Sequence, residues 1–318
     1  MNHPTPVTIP GRKIGLVLSG GVARGWAHIG AIKTLQKMGY KFDVVAGCSI
    51  GAVVGALMLA GKLEALEAWC RGLNKIKIAS YLDLNIKSGG LIGGQKLVDE
   101  IRRHIGDLRV EDLPQKFVAV STDLVTGHEV WLQQGVLADV LRASFALPGL
   151  FPPSQLQGRW LLDGALVNPC PVSMCRAMGA DLIIAINLNA DIIGKVRQME
   201  KGVPVAAGFD LLPMMEQTPE LKHKTHGLDW LTRRIFHREP QSPSLFGVMT
   251  AALNIMLDRM TRSRMAGDPA DVHIAPRLGQ IGLLEFDRAA EAIAEGEAAV
   301  MRKQEELTAA LKILRPVS

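Results

Sequence analysis

Cysteine is scarce, with only Cys48, Cys70, Cys170 and Cys175 in 318 residues. None forms a CxxC pair or shows metal-ligand spacing, which argues against a disulfide scaffold and favours a reducing, cytoplasmic setting. Aromatic residues make up only 5% of the chain, so the core has to be built from Ala, Leu, Ile and Val. Long hydrophobic runs are missing too. The longest, Ala52 to Ala60, is about half of the roughly 20 residues that a membrane-spanning helix needs. Met1 to Gly11 is polar and proline-containing, lacks the apolar centre of a signal peptide, and reads as a flexible tail. No cluster of His, Asp and Glu offers metal spacing, no internal repeat is evident, and no motif calls for a cofactor.

What is present is an ordinary globular composition, 48% hydrophobic and 21% charged, long enough for one large α/β domain. The net charge of +5 is too mild to argue for nucleic acid. It is also local. Lys222, Lys224, Arg233, Arg234 and Arg238 face a single acid, Asp229, so one short segment holds most of the excess.

Hydrophobic periodicity sets the order of elements. Lys13 to Ser19 is a short apolar run that reads as a buried strand, and Arg24 to Lys37 carries helical spacing and stops at Gly39. Asp43 to Ala46 predicts a second strand, followed by an apolar helix from Ile50 to Ala60 with Gly61 as its stop. Strand, helix, strand, helix at this pace predicts a three-layer α/β fold, a mostly parallel central sheet with helices on both faces. Phe117–Val120 and Glu129–Leu132 flank a Thr126-Gly127 turn and predict a hairpin; Trp160–Leu162, Leu182–Leu188 and Val272–Ala275 supply further strands. Helical spacing returns from Leu245, and Glu285 to Leu314 reads as one amphipathic helix with an interruption at Gly296. Residues 191–242 break the pattern and read as an insertion, a lid or an interfacial segment, within a single domain spanning 12–318.

Three features carry chemistry. Gly47-Cys48-Ser49-Ile50-Gly51 lies between a strand and a helix, the context of a nucleophile elbow. A serine on that turn projects its hydroxyl outward, and its flanking positions must be small because the backbone doubles back. The plainer alternative is a serine N-cap for the following helix. Cys48, the rival nucleophile, should point away from the tip. Second, Ser19-Gly20-Gly21-Val22-Ala23-Arg24-Gly25 also joins a strand to a helix. It fails the dinucleotide pattern because Val22 stands where a glycine is required. It remains a loop whose N–H groups can converge on an oxyanion, with Arg24 either holding it or facing solvent. Third, Asp163-Gly164-Ala165 follows Trp160–Leu162 and sets a carboxylate at a strand end, where α/β sites gather. An activated serine needs a base. Among the histidines, His28 falls inside the first helix, His273 in the late strand, and His223, His226 and His237 in the insertion.

Taken together and in this order, Gly20-Gly21-x-x-Arg24-Gly25, Gly47-x-Ser49-x-Gly51 and Asp163-Gly164-Ala165 resemble the patatin-like phospholipase family. Ala143-Ser144-x-x-Leu147-Pro148-Gly149-x-Phe151-x-Pro153 and Asn168-Pro169-x-Pro171 match its bacterial members. Asp258 to Arg262 and Gly267-Asp268-Pro269 are similar to the subgroup near the small bacterial RssA proteins. The resemblance implies a serine acyl hydrolase of lipid or lysophospholipid esters that works through a Ser–Asp dyad. Ser49 would be the nucleophile, Asp163 the base, and Gly20, Gly21 and Val22 the oxyanion-hole donors. Arg24, Gly25, Gly47, Gly51 and Gly164 would support them. Family members usually show glycine where Val22 stands, and Ser19 replaces another common glycine; if position 22 requires a positive φ, a β-branched residue is strained there.

Two other readings use the same residues. A histidine-assisted carboxylesterase or thioesterase for soluble substrates would depend on His223, His226, His237 or His273. A regulatory or scaffolding protein with weak catalysis would survive loss of Ser49. Within 223–238, Leu228, Leu231 and Ile235 share a helical face beside Arg233, Arg234 and Arg238. This suits peripheral contact with an anionic membrane, and equally a solvated lid or a partner-binding helix.

Overall fold

Alternation along the first strand builds the layers. In β1 (Ile14–Leu18), Ile14, Leu16 and Leu18 enter one apolar cluster and Val17 enters the other. β2 (Val44–Cys48) repeats the division, with Val45 on the first face and Val44, Ala46 and Cys48 on the second. Strands buried on both faces need helices on both faces, and that is the architecture of the protein. A computed structural model describes residues 11–81, 94–191 and 245–314. The expected tail 1–11 except Gly11, the insertion 191–242 except Asp191, and the basic stretch 223–238 lie outside the described residues.

The remaining strands are β3 (Lys116–Asp123), β4 (Glu129–Leu132), β5 (Ser154–Leu156), β6 (Arg159–Asp163), β7 (Leu182–Ile186) and β8 (Val272–Ile274). They form one sheet in the order β5-β6-β3-β2-β1-β7-β8, with β4 also paired to β3. β3, β2, β1, β7 and β8 run parallel; β4 and β6 are antiparallel to β3. The β3–β4 pairing is the hairpin that the Thr126-Gly127 turn predicts.

The first face is covered by α1 (Ala27–Lys37), α2 (Ile50–Leu59), α3 (Leu63–Arg71), α4 (Lys75–Tyr81), α5 (Gln95–Ile105) and α6 (Leu137–Ser144). The second face meets α7 (Val172–Ala177) and α8 (Leu245–Gly267). α9 (Ala289–Met301) and α10 (Gln304–Leu314) complete the helices described. The C-terminal segment is therefore not one helix broken at Gly296. Its break falls at Arg302-Lys303, and Gly296 sits mid-helix where α9 crosses α1. A Cβ on Gly296 would lie 1.9 Å from the Ala27 carbonyl oxygen, and one on Gly30 1.9 Å from that of Ile293. Close backbone contact explains both glycines better than helix breaking does.

Candidate active site

Between the end of β2 at Cys48 and the start of α2 at Ile50, one residue makes the turn. Ser49 adopts φ 54° and ψ −125°, a conformation that L residues avoid and that costs about 1–3 kcal/mol. The chain doubles back so tightly that a Cβ on Gly47 would lie 2.4 Å from Ala52 Cα, and one on Gly51 2.3 Å from the Leu18 carbonyl oxygen. Ser49 stands at the N-cap position but makes no capping bond. Its Oγ donates instead to Asp163 Oδ2 at 2.7 Å. Both residues are buried.

Register explains how residues 114 positions apart meet. β4 occupies one side of β3. On the other side β2 is paired as far as Cys48↔Val120, and β6 takes over at Asp163↔Ser121. β2 runs parallel to β3 and β6 antiparallel, so their C-termini arrive head to head, one residue step apart along β3. Asp163 thus ends a strand, as expected from its sequence, but an antiparallel one. Gly164 must be small, because a Cβ there would lie 2.3 Å from the Val120 carbonyl oxygen.

Asp163 is held through both its side chain and its backbone. Its Oδ1 accepts from the Ala165 N–H at 2.8 Å, its own N–H donates to the Ala146 carbonyl at 2.9 Å, and the Thr122 hydroxyl donates to its carbonyl at 2.8 Å. Burial pushes Asp163 up to about 6, against the opposing bonds from Ala165, Ser49 and Cys48. Cys48 points into the second apolar cluster, with Sγ 3.8 Å from Asp163 Oδ1. Burial and then the Asp163 charge hold its thiol well above the usual range, which removes its claim as a nucleophile at neutral pH.

The glycine loop follows β1. Of the three N–H groups expected to serve an oxyanion, that of Gly20 already donates to the Pro169 carbonyl at 3.0 Å. The N–H groups of Gly21 and Val22 meet no acceptor among the described residues. Ser19 Oγ and Asn189 Nδ2 both donate to the Gly20 carbonyl, at 3.2 and 3.3 Å. In a planar trans peptide the next N–H points opposite to that carbonyl, so these two side chains aim the Gly21 N–H. Val22 has φ 52°, the positive value at which a valine is strained.

Arg24 is buried, not solvent-facing: it donates to the Ile281 carbonyl at 2.9 Å and to Asn254 Oδ1 at 3.2 Å, tying the loop to the C-terminal half. A Cβ on Gly25 would lie 2.2 Å from Ile50 Cγ1, so the loop rests directly on the elbow helix.

Among the described residues, no histidine hydrogen-bonds to Ser49 or Asp163, although His104 lines the same cleft as Ser49. Burial pushes His28 down to about 4, so it is neutral at pH 7. Its Nε2 is 2.8 Å from the Ser19 carbonyl, an acceptor only, which places the proton on Nε2. His273 lies in β8, three strand positions from β2 or about 14 Å, and contacts Asn187. His223, His226 and His237 lie outside the described residues. Among the described residues no group of three or more His, Cys, Asp or Glu could hold a metal ion, and no helix is long and apolar enough to cross a membrane.

Beside Ser49 a cleft opens on the first face of the sheet, with about 1040 Å³ of empty space, part of it open to solvent. Its walls include Val22, Val53, Leu57, Trp69 and Ile101. Residues 63–105 attract no attention in the sequence, yet they supply α3 and α5, which form much of this wall. Ser144 was visible only within a matched block. Its hydroxyl accepts from the Ser49 N–H at 3.0 Å and donates to the Val120 carbonyl at 2.7 Å, pinning the elbow to β3. Asn189 carries no motif at all.

Comparison with known proteins follows the same residues. The family model for patatin-like phospholipase matches residues 16–176, just over half of the chain and inclusive of every site residue above except Asn189, Asn254 and Ile281. An uncharacterised NTE family protein of Mycobacterium tuberculosis H37Rv is 33% identical over 323 residues, covering 90% of this chain and 89% of that protein. Lysophospholipase NTE1 of Pyricularia oryzae is 29% identical over 296 residues, which is 90% of this chain and 18% of that much longer protein. The narrower RssA-like resemblance stays an expectation. With the domain match running from β1 through α7 and a relative aligned along nearly its whole length, the chain belongs to the patatin-like phospholipase family.

Proposed function

We propose that the protein is a serine acyl hydrolase of lipid esters, with lysophospholipids or phospholipids as substrates and Ser49 and Asp163 as its catalytic pair. The observation that carries this reading is the 2.7 Å bond from Ser49 Oγ to a buried carboxylate at the tip of a strained elbow. The family, and a relative named as a lysophospholipase, support the lipid class.

In the mechanism, Ser49 Oγ attacks the ester carbonyl carbon while its proton passes to Asp163 Oδ2. The oxyanion that forms is held by the N–H groups of Gly21 and Val22; removing one such donor typically costs about 3–4 kcal/mol in the transition state. Collapse expels the alcohol, which takes the proton from Asp163 and leaves an acyl ester on Ser49. Water then gives a proton to Asp163 as its oxygen attacks that ester, and Ser49 departs with the proton as the carboxylic acid is released. A carboxylate near pKa 6 is a stronger base than an ordinary one and is still ionised at neutral pH.

The test is fatty-acid release from lysophosphatidylcholine micelles. Wild type is expected to turn over, Ser49→Ala and Asp163→Asn to lose at least a hundredfold, and Ala variants of His223, His226, His237 and His273 to retain activity. Loss in any one histidine variant, in folded protein, would transfer the base role to that histidine. Adsorption of 223–238 to an anionic membrane, and a peripheral cytoplasmic location, belong to the same proposal; wild type left in the supernatant of anionic liposomes would remove that part.

A further inference from the structure

Val22 holds a backbone conformation that glycine would adopt without strain, so something other than backbone geometry must account for its side chain. The loop needs only the N–H at this position, and glycine would supply it equally well. The side chain lies in the wall of the cleft, together with Ser49, Ile50 and Phe145, and packs against the first apolar cluster. It is therefore apolar surface next to the reacting carbonyl, where the first carbons of an acyl chain must pass. Farther from Ser49, the cleft continues along the Ile50, Val53 and Leu57 stripe of α2, about 10 Å of helix.

We propose that Val22 is a specificity-determining residue: its isopropyl group narrows the cleft at the nucleophile and restricts it to acyl chains that are unbranched next to the carboxyl carbon. This rests on the acyl-hydrolase reading and deepens it. The valine is kept at a positive φ because its methyl groups do the selecting. A carbon more or less in an apolar site changes discrimination by about tenfold or more, so the effect is measurable.

The experiment compares kcat/KM for p-nitrophenyl octanoate and p-nitrophenyl 2-methyloctanoate in wild type, Val22→Thr, Val22→Ala and Val22→Gly. Alanine keeps the positive-φ strain and removes the wall; glycine removes both; threonine keeps the shape. Wild type and Val22→Thr are expected to favour the straight chain by tenfold or more. Val22→Ala and Val22→Gly should both lose most of that preference, chiefly by gaining on the branched ester. An unchanged ratio in both overturns the assignment, and so does a change confined to Val22→Gly, which would place the effect in the backbone. If wild type hydrolyses neither ester and Ser49 takes no fluorophosphonate label, the hydrolase reading fails first and this inference falls with it.

Discussion

Asp163 is buried with neutral hydrogen-bond donors around its carboxylate, and burial outweighs those bonds, lifting its pKa to about 6. Two consequences follow with definite signs. In the proposed mechanism Asp163 acts as a base and must be ionised, so kcat/KM on a neutral ester should climb with pH through about 6 and level off above 7, as read from initial rates between pH 4.5 and 8. Stability runs the other way. The native carboxyl binds its proton more tightly than the unfolded one, whose pKa is about 4, so its stabilising contribution is complete below pH 4. It is lost as pH rises through 6, a difference of about 3 kcal/mol. Asp163→Asn should therefore melt above wild type at pH 8, with that advantage vanishing near pH 4. Equal melting temperatures at both pH values would contradict the burial account. Ser49 and Asp163 were legible in the sequence because Gly47 and Gly51 bracket the first and Gly164 follows the second, each a glycine that tight packing demands. The fate of the Gly20 N–H was not, since its acceptor, Pro169, lies 149 residues away and no local pattern encodes such a pairing.

Elements show a similar divide. The strand–turn–helix units around Ser19 and Ser49 could be read from periodicity alone, and their boundaries fall within a few residues of those observed. The direction of β6 could not, because an isolated apolar triplet such as Trp160–Leu162 carries no sense of parallel or antiparallel pairing. Gly296 misled for another reason. Glycine lowers helix propensity by about 1 kcal/mol relative to alanine, which suggests an interruption, whereas here it permits α1 and α9 to touch backbone to backbone. Gly296→Ala decides between the two. Propensity alone would raise stability by about that 1 kcal/mol. A Cβ 1.9 Å from a carbonyl oxygen forces the helices apart, and overpacking of this kind costs about 1–3 kcal/mol. The melting temperature should fall by several degrees. A rise would show that the two helices slide freely.

At the scale of the whole molecule, the sheet brings Ser49, at the end of a parallel strand, and Asp163, at the end of an antiparallel one, to the same point, and the helices of its first face add an apolar cleft beside them. The fold class was apparent from the alternation of strands and helices. The cleft was not, because it forms only when α2, α3 and α5, drawn from separate stretches of chain, close around a common space. Each methylene buried there is worth about 0.8 kcal/mol, so kcat/KM on a series of p-nitrophenyl esters should rise roughly fourfold per added carbon until the cleft is filled, then flatten. A flat series from butanoate onward would mean that the acyl chain lies elsewhere. The central claim is the pairing of Ser49 with Asp163, and labelling with a fluorophosphonate, read by peptide mass mapping, tests it most directly. The account predicts an adduct on Ser49, absent in Ser49→Ala, slowed at least a hundredfold in Asp163→Asn and unchanged in His273→Ala. An adduct on another residue, or labelling of Ser49 at full rate without Asp163, would contradict it.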